Sequence, residues 1–213
     1  LGTLTVTEAT DEIIATPGSY NGTYDGQAHG VDVTVTSLPK GYSVKSAVSY
    51  ATATGVTDGV TANVDELVIV NTQGEDVTAN LKITKGTGTI KISPATLKVT
   101  THGAKAEYTG SALTADGKVT GFVNNEAATF ATTGSQTKVG SSTNTYTIDW
   151  NDTAKESNYT IEEDLGTLEV TQNQTSIMVI PQGGSKPYDG TELTSAGVTT
   201  YGLPAGYTLT AKT

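Results

Sequence analysis

Three stretches of this chain repeat one another: "TYDGQAHG" from Thr23, "YTGSALT" from Tyr108 and "YDGTELT" from Tyr188. The tyrosines Tyr24, Tyr108 and Tyr188 stand 84 and 80 residues apart, and each is followed two places on by a glycine, Gly26, Gly110 or Gly190. Two further markers keep the same period. The stretches "VTSLPKGY" around Leu38, "VTGFVNNE" around Phe122 and "TYGLPAGY" around Leu203 lie 84 and 81 residues apart, and the Gly-Thr strings that start at Gly2, Gly88 and Gly166 lie 86 and 78 apart. Three markers sharing a period of about eighty residues identify a tandem array with one structural unit per period.

The units are expected to be β-sandwiches. Apolar residues make up 35% of the chain and aromatics 6%, too lean for one large core but enough for thin sandwiches whose strands bury one face. Alternating apolar residues, such as Leu67 with Ile69 or Tyr146 with Ile148, fall on one side of a strand. The register places the last strand of an upstream module at 1–8, one module at 9–93, another at 94–171 and an incomplete third at 172–213. The linkers, Ser93 to Ala95 and Gln172 to Gln174, are very short and a flexible tether would need more Gly and Ser, so a restrained, elongated array is expected, each sandwich closing its own interior. Both ends read as cuts through a longer array. The head and tail segments together are some thirty residues short of a period of about eighty, so head-to-tail strand donation is not expected to complete the third unit. Unless another chain covers Ile177, Val179 and Leu193, that unit is expected to be loose.

A formal charge of −10 argues against nucleic acid and anionic membranes as partners, because both demand clustered Lys and Arg. The absence of cysteine removes disulfides and thiolate metal sites, and no apolar stretch approaches a membrane-spanning length. No basic, apolar leader stands at the N-terminus, which fits either a cytosolic chain or one cut from something longer. No phosphate-cradling GxxxxGK[ST] string or HExxH pair is present, and His29 and His102 fall at non-equivalent positions, read as solvated loop residues. The acids Glu162 to Asp164 read as a solvated edge. Asp149 to Asp152 gathers oxygen ligands beside the single Trp without the spaced acids of an EF-hand loop, so no metal or cofactor is expected and the chain is not expected to be an enzyme. The sequons at Asn21, Asn151, Asn158 and Asn173 are the accidental product of abundant Thr.

In the Tyr-x-Gly strings the glycine is expected at positive φ. Thr109 at the middle position of the second string excludes a type I′ turn, which needs positive φ at both central residues, and leaves a type II or bulged turn. The tyrosine is expected to pack its ring over the end of the sandwich and direct its hydroxyl to a backbone acceptor. The competing reading is an aromatic that stacks on sugar. Trp150, Tyr50 and Tyr201 are the further candidates for that role, Trp150 equally suiting half-buried packing after Ile148.

The Tyr-Asp/Thr-Gly string, the pairs Gly121-Phe122 and Gly202-Leu203, Val139-Gly140 with Asn144 to Ile148, Asn158 to Ile161 and Gly166 to Leu168 together resemble the mostly-beta, glycine-rich (MBG-type) repeats. The resemblance covers nearly the whole chain and is best over 94–171. In the first module Ser37-Leu38 replaces the Gly-aromatic pair, and an insertion-like stretch runs from Ser46 to Gly59. The resemblance implies immunoglobulin-like modules of large secreted bacterial surface proteins and adhesins, attached to the cell wall in the full-length protein. They serve as stalk or spacer that projects a distal domain, and their partners are the neighbouring modules. Two alternatives remain: a module that binds host glycan or protein itself, and an accessory carbohydrate-binding module of a larger enzyme. Lys-Asn isopeptide bonds, which stiffen some bacterial stalks, leave no spacing signature.

Overall fold

The computed structural model describes residues 2–4, 12–194 and 197–210, and these are almost wholly β-strand. Only two single-turn 3-10 segments, Thr78–Asn80 and Glu156–Asn158, interrupt the strands among the described residues. The first eight strands are β1 (Ile13–Pro17), β2 (Tyr20–Thr23), β3 (His29–Thr36), β4 (Ser43–Ala53), β5 (Thr57–Ala62), β6 (Glu66–Val70), β7 (Ile83–Lys85) and β8 (Gly88–Ser93). They form a five-stranded sheet in the order β6-β4-β3-β1-β7 and a three-stranded sheet in the order β2-β8-β5. The next eight are β9 (Ala95–Thr101), β10 (Ala104–Glu107), β11 (Gly117–Thr120), β12 (Thr129–Thr132), β13 (Gly140–Thr143), β14 (Tyr146–Asp149), β15 (Tyr159–Asp164) and β16 (Thr167–Thr171). Their sheets run β11-β9-β15, β10-β16-β13 and β12-β14.

One set of pairings serves both groups. Strand β1 pairs antiparallel with β3 and parallel with β7, as β9 does with β11 and β15. Strand β8 pairs parallel with β2 and antiparallel with β5, as β16 does with β10 and β13. The β4–β6 pair has its counterpart in β12–β14. The groups differ at β4, which is eleven residues long against four in β12 and pairs with both β3 and β6. The insertion-like stretch from Ser46 to Gly59 is therefore mostly strand, accommodated by register shifts between Val44 and Ser46 and between Thr57 and Val60.

The Gly-Thr strings open β8 and β16, and their inward residues are buried: Ile90, Ile92, Leu168 and Val170. Each opening glycine lies against a turn backbone. A Cβ at Gly88 would collide with the carbonyl oxygen of Gly18, and one at Gly166 with the His102–Gly103 peptide. Close approach of two backbones requires glycine here.

One apolar cluster joins the two strand groups: Tyr24, Ile90 and Ile92 from the first with Ala95, Leu97, Ala154 and Tyr159 from the second, Phe122, Val123 and Trp150 packing against it. The expectation that every unit closes a separate interior is corrected at this point. Only Pro94 lies between β8 and β9, so the apolar stripe of one strand continues into that of the next. Its inward parity changes from even to odd across the proline, from Ile90 and Ile92 to Ala95, Leu97 and Val99.

The last two strands, β17 (Met178–Pro181) and β18 (Val198–Tyr201), form an antiparallel ribbon equivalent to β1–β3 and β9–β11. Among the described residues β17 has no parallel neighbour of the kind that β7 and β15 provide, and Ile177, Met178, Val179, Ile180 and Leu193 are all exposed. The molecule's accessible surface is 14098 Å². A compact monomer of its mass would expose about 9,300 Å². Residues 5–8 of the head strand expected at 1–8 lie outside the described residues; Gly2 to Leu4 carry no regular structure, and Leu4 is 99% exposed.

Candidate functional site

The site built with most care is the junction between the two strand groups. Gly26 has φ of 77°, Gly110 84° and Gly190 77°, whereas Asp25, Thr109 and Asp189 are not left-handed, so each Tyr-x-Gly turn carries its strain on glycine alone. The turn holds Tyr24 at the end of β2, where its N–H donates to the Ser93 carbonyl at 2.8 Å. The ring is buried, at 5% exposure.

From the other side comes the loop after β11, residues 121–128. Asn124 and Asn125 adopt left-handed φ of 51° and 56°, which asparagine tolerates better than most residues, and the turn closes with Glu126 N–H donating to the Val123 carbonyl at 2.9 Å. This geometry presents Glu126 to two tyrosines at once. The Tyr24 hydroxyl donates to Oε1, and the Tyr159 hydroxyl donates to Oε2 at 2.7 Å. The two rings meet edge to face with centroids 5.6 Å apart, and Tyr159 also contacts Phe122 edge-on at 5.5 Å and stacks on Trp150 at 6.1 Å. Polar contacts surround this centre. Gln27 Nε2 donates to Asn124 Oδ1 at 2.9 Å, Asn124 Nδ2 to the Gly26 carbonyl at 3.4 Å, and Val56 N–H to Asn158 Oδ1 at 3.1 Å.

Burial and the adjacent carboxylate both oppose ionisation of these phenols. Tyr159 is pushed up to about 12, first by burial and then by its hydrogen bond to Glu126, and Tyr24 is raised for the same two reasons. At neutral pH both tyrosines are donors and the carboxylate is acceptor, a two-pronged clamp between groups of strands. The expected backbone acceptor for the tyrosine hydroxyl is thus corrected: in Tyr24 it is a carboxylate of the following unit, because the turn aims the ring outward across the junction. Tyr108 meets Tyr207 with centroids 6.5 Å apart, while Tyr188 is 98% exposed.

An open groove of about 400 Å³ lies beside the second group, lined by Tyr146, Ile148, Trp150, Glu156, Ile161 and Glu163 among others. Tyr146 stacks on Phe130 and donates its hydroxyl to Glu163 Oε1 at 2.5 Å; burial and then this bond push it up to about 12. Trp150 is half-buried. Tyr50, on β4, is exposed but donates its hydroxyl to Glu66 at 2.8 Å, and Tyr201 is exposed on β18. Trp150 follows the end of β14, Tyr50 lies on β4 and Tyr201 on β18, so the three candidates stand on separate parts of the chain.

His29 is not a solvated loop residue: it starts β3 and stacks on Tyr20 with centroids 4.2 Å apart beside Asp25. His102 does lie exposed in the loop between β9 and β10, where its Nδ1 contacts Asp116 at 2.6 Å. Asn158 of one sequon is buried. Among the described residues no group of three His, Cys, Asp or Glu is placed to hold a metal ion, and no helix is long and apolar enough to cross a membrane. Glu126 went unremarked in the sequence because its counterparts are tyrosines, Tyr42 and Tyr207; the shared turn, with Tyr42 N–H to Pro39 and Tyr207 N–H to Pro204, marks the three positions as equivalent. No protein-family model matches the chain, and no curated protein matches it.

Proposed function

We propose that this chain is a run of tandem immunoglobulin-like β-sandwich modules, bounded near 9–93 and 94–171 with part of a third from 172, that serves as the stalk of a secreted bacterial surface protein or adhesin. The observation that carries the reading is the first junction: the first two units are separated by one proline, share an apolar cluster and are clamped through Tyr24, Glu126 and Tyr159. Such a contact restricts bending, which a spacer needs and a flexible tether lacks. The large exposed surface supports an extended shape, and the resemblance of the repeats to MBG-type modules supports the cell-surface setting.

Small-angle scattering tests the extended array. A radius of gyration well above the roughly 17 Å of a compact domain of this length is expected, and a value near it ends the proposal. The groove at Trp150 and Tyr146, with Glu156 and Glu163 on its rim, supports a second reading as a glycan-binding module. Titration of Trp150 fluorescence with oligosaccharides separates the two: a saturable change lost in Tyr146→Ala favours the glycan site.

A further inference from the structure

The second strand group is open where the first is closed, and the residues that differ there share one chemistry. The groove of about 400 Å³ is lined by Tyr146 and Ile148 of β14, by Trp150 just beyond it, by Glu156, and by Ile161 and Glu163 of β15. Register identifies the counterparts in the first group. Ala15 pairs with Lys85 as Val99 pairs with Glu163, and Ala15 and Val99 are matched to each other through their partners Val35 and Val119. Leu67, Ile69 and Asn71 stand where the second group has Tyr146, Ile148 and Trp150. In the first group Ile69 is 0% exposed and Lys85 Nζ donates to the Val64 carbonyl at 3.1 Å. In the second, Ile148 is half-buried and Ile161 is 39% exposed. One unit seals this face with aliphatic residues and a lysine; the other leaves it accessible, with Tyr146, Trp150 and Glu163 at the matching positions.

The lining carries charge of one sign. Glu156 and Glu163 are both exposed, and no Lys, Arg or His borders the groove. Glu163 accepts the Tyr146 hydroxyl, and among the described residues neither carboxylate forms an ion pair. Both rings are held in place by their neighbours. Tyr146 stacks on Phe130 with centroids 5.8 Å apart, and Trp150 stacks on Tyr159 at 6.1 Å and meets Phe122 edge to face at 6.3 Å. Fixed aromatics beside unpaired carboxylates attract an organic cation, through the negative faces of the rings and through charge. A metal ion would leave the rings unused, and anionic groups are repelled. A neutral sugar finds few donors, because no amide or guanidinium side chain lines the groove and the Tyr146 hydroxyl is already given to Glu163. The apolar floor of Ile148, Ile161 and Leu165 favours methyl groups on the cation over a strongly hydrated primary ammonium.

We propose that this groove is a binding site for a quaternary ammonium group, with Tyr146 and Trp150 as its aromatic walls and Glu156 and Glu163 as the counter-charge. The first group, with Leu67, Asn71 and Lys85 at the matching positions, carries no such site. Two rings and two solvated carboxylates in an open groove give weak binding, with Kd on the order of 1 mM. The inference rests on the groove alone; an empty groove leaves the stalk reading standing, and a compact chain in solution leaves the groove as it is.

Choline titrated into the full chain at constant ionic strength tests it, read through the indole N–H resonance of Trp150, the single Trp. A saturable shift is expected with choline and none with dimethylbutanol, its neutral analogue with carbon in place of the charged nitrogen. Glu163→Lys, at an exposed position, installs the residue type that the first group has in Lys85. It should leave circular dichroism unchanged and weaken choline binding by at least about tenfold. A choline shift that has not saturated by about 50 mM overturns the proposal, since that is far above the Kd expected of the site. An equal response to dimethylbutanol overturns it too, by showing an apolar groove indifferent to charge, as does binding that survives Glu163→Lys. Saturation by an oligosaccharide where choline gives none removes the ammonium site and favours the glycan reading.

Discussion

Glu126 is one half-buried carboxylate receiving two phenols that come from different strand groups. Replacing it by alanine strips both hydroxyls of their acceptor, and a loss of about 1–3 kcal/mol is expected by denaturant titration. Combining Tyr24→Phe with Glu126→Gln in a double-mutant cycle should give a coupling of at least about 0.5 kcal/mol; independent effects would remove the clamp. The same centre gives the molecule an alkaline limit. An ordinary tyrosine titrates near 10.0, whereas Tyr159 in the folded chain is held at about 12, so the unfolded state gains by releasing the proton first. This contribution to stability is complete below pH 10 and is lost as pH rises toward about 12. In Tyr159→Phe the decline of stability over that window should be shallower, with Tyr146 accounting for part of what remains. Asn144 is the other residue on which much depends. It is 0% exposed, its Nδ2 donates to the carbonyls of His102 and Ala115, both at 3.0 Å, and its backbone carbonyl accepts from Thr101 Oγ1 at 2.8 Å. Asn144→Ala should cost about 1–3 kcal/mol in the same titration, because two part-buried hydrogen bonds lose their donor.

At the scale of elements, the Gly-Thr strands β8 and β16 are the centres of the β2-β8-β5 and β10-β16-β13 sheets, each with a parallel neighbour on one side and an antiparallel one on the other. Their first residue has no room for a side chain. Gly166→Ala forces the His102–Gly103 turn away from β16 and is expected to lower stability by about 1–3 kcal/mol, whereas Gly183→Ala, with nothing within 4 Å, should be nearly neutral. Thermal melts of the two variants make the comparison. The marker itself was legible because a glycine recurred before a threonine at a fixed period. Its cause was not, since the colliding backbone belongs to a turn more than sixty residues away in sequence. Ribbon β17–β18 illustrates the reverse case. Ile177, Val179 and Leu193 were expected to lack cover, and they are exposed.

For the molecule as a whole, the shared cluster couples units that the repeat alone presents as beads. Residues 12–171 should unfold in a single transition, and Tyr24→Ala should separate it into two in calorimetry, by removing the aromatic that both groups pack upon. Residues 94–171 produced alone expose Leu97, Phe122, Trp150 and Tyr159 to water along one end. Their melting temperature is therefore expected to fall below that of the same residues in the longer chain. Two well-separated transitions in the unaltered protein would mean that the junction contributes little.

The period of about eighty residues, the β-rich composition and the alternation along each strand were enough to expect an all-β chain and to align its parts, because these are local properties that every unit repeats. The left-handed glycine of the Tyr-x-Gly turn was legible for the same reason, from Thr109 at its middle position. What the tyrosine does was not. Its partner Glu126 lies 102 residues away and occupies a position where the other units carry tyrosine, so nothing in the repeat singles it out. Only when Pro94 turns β8 directly into β9 do Ile92 and Leu97, and with them Tyr24 and Tyr159, enter one apolar cluster. Contact between units depends on the path of the chain in space, which a periodic sequence leaves open.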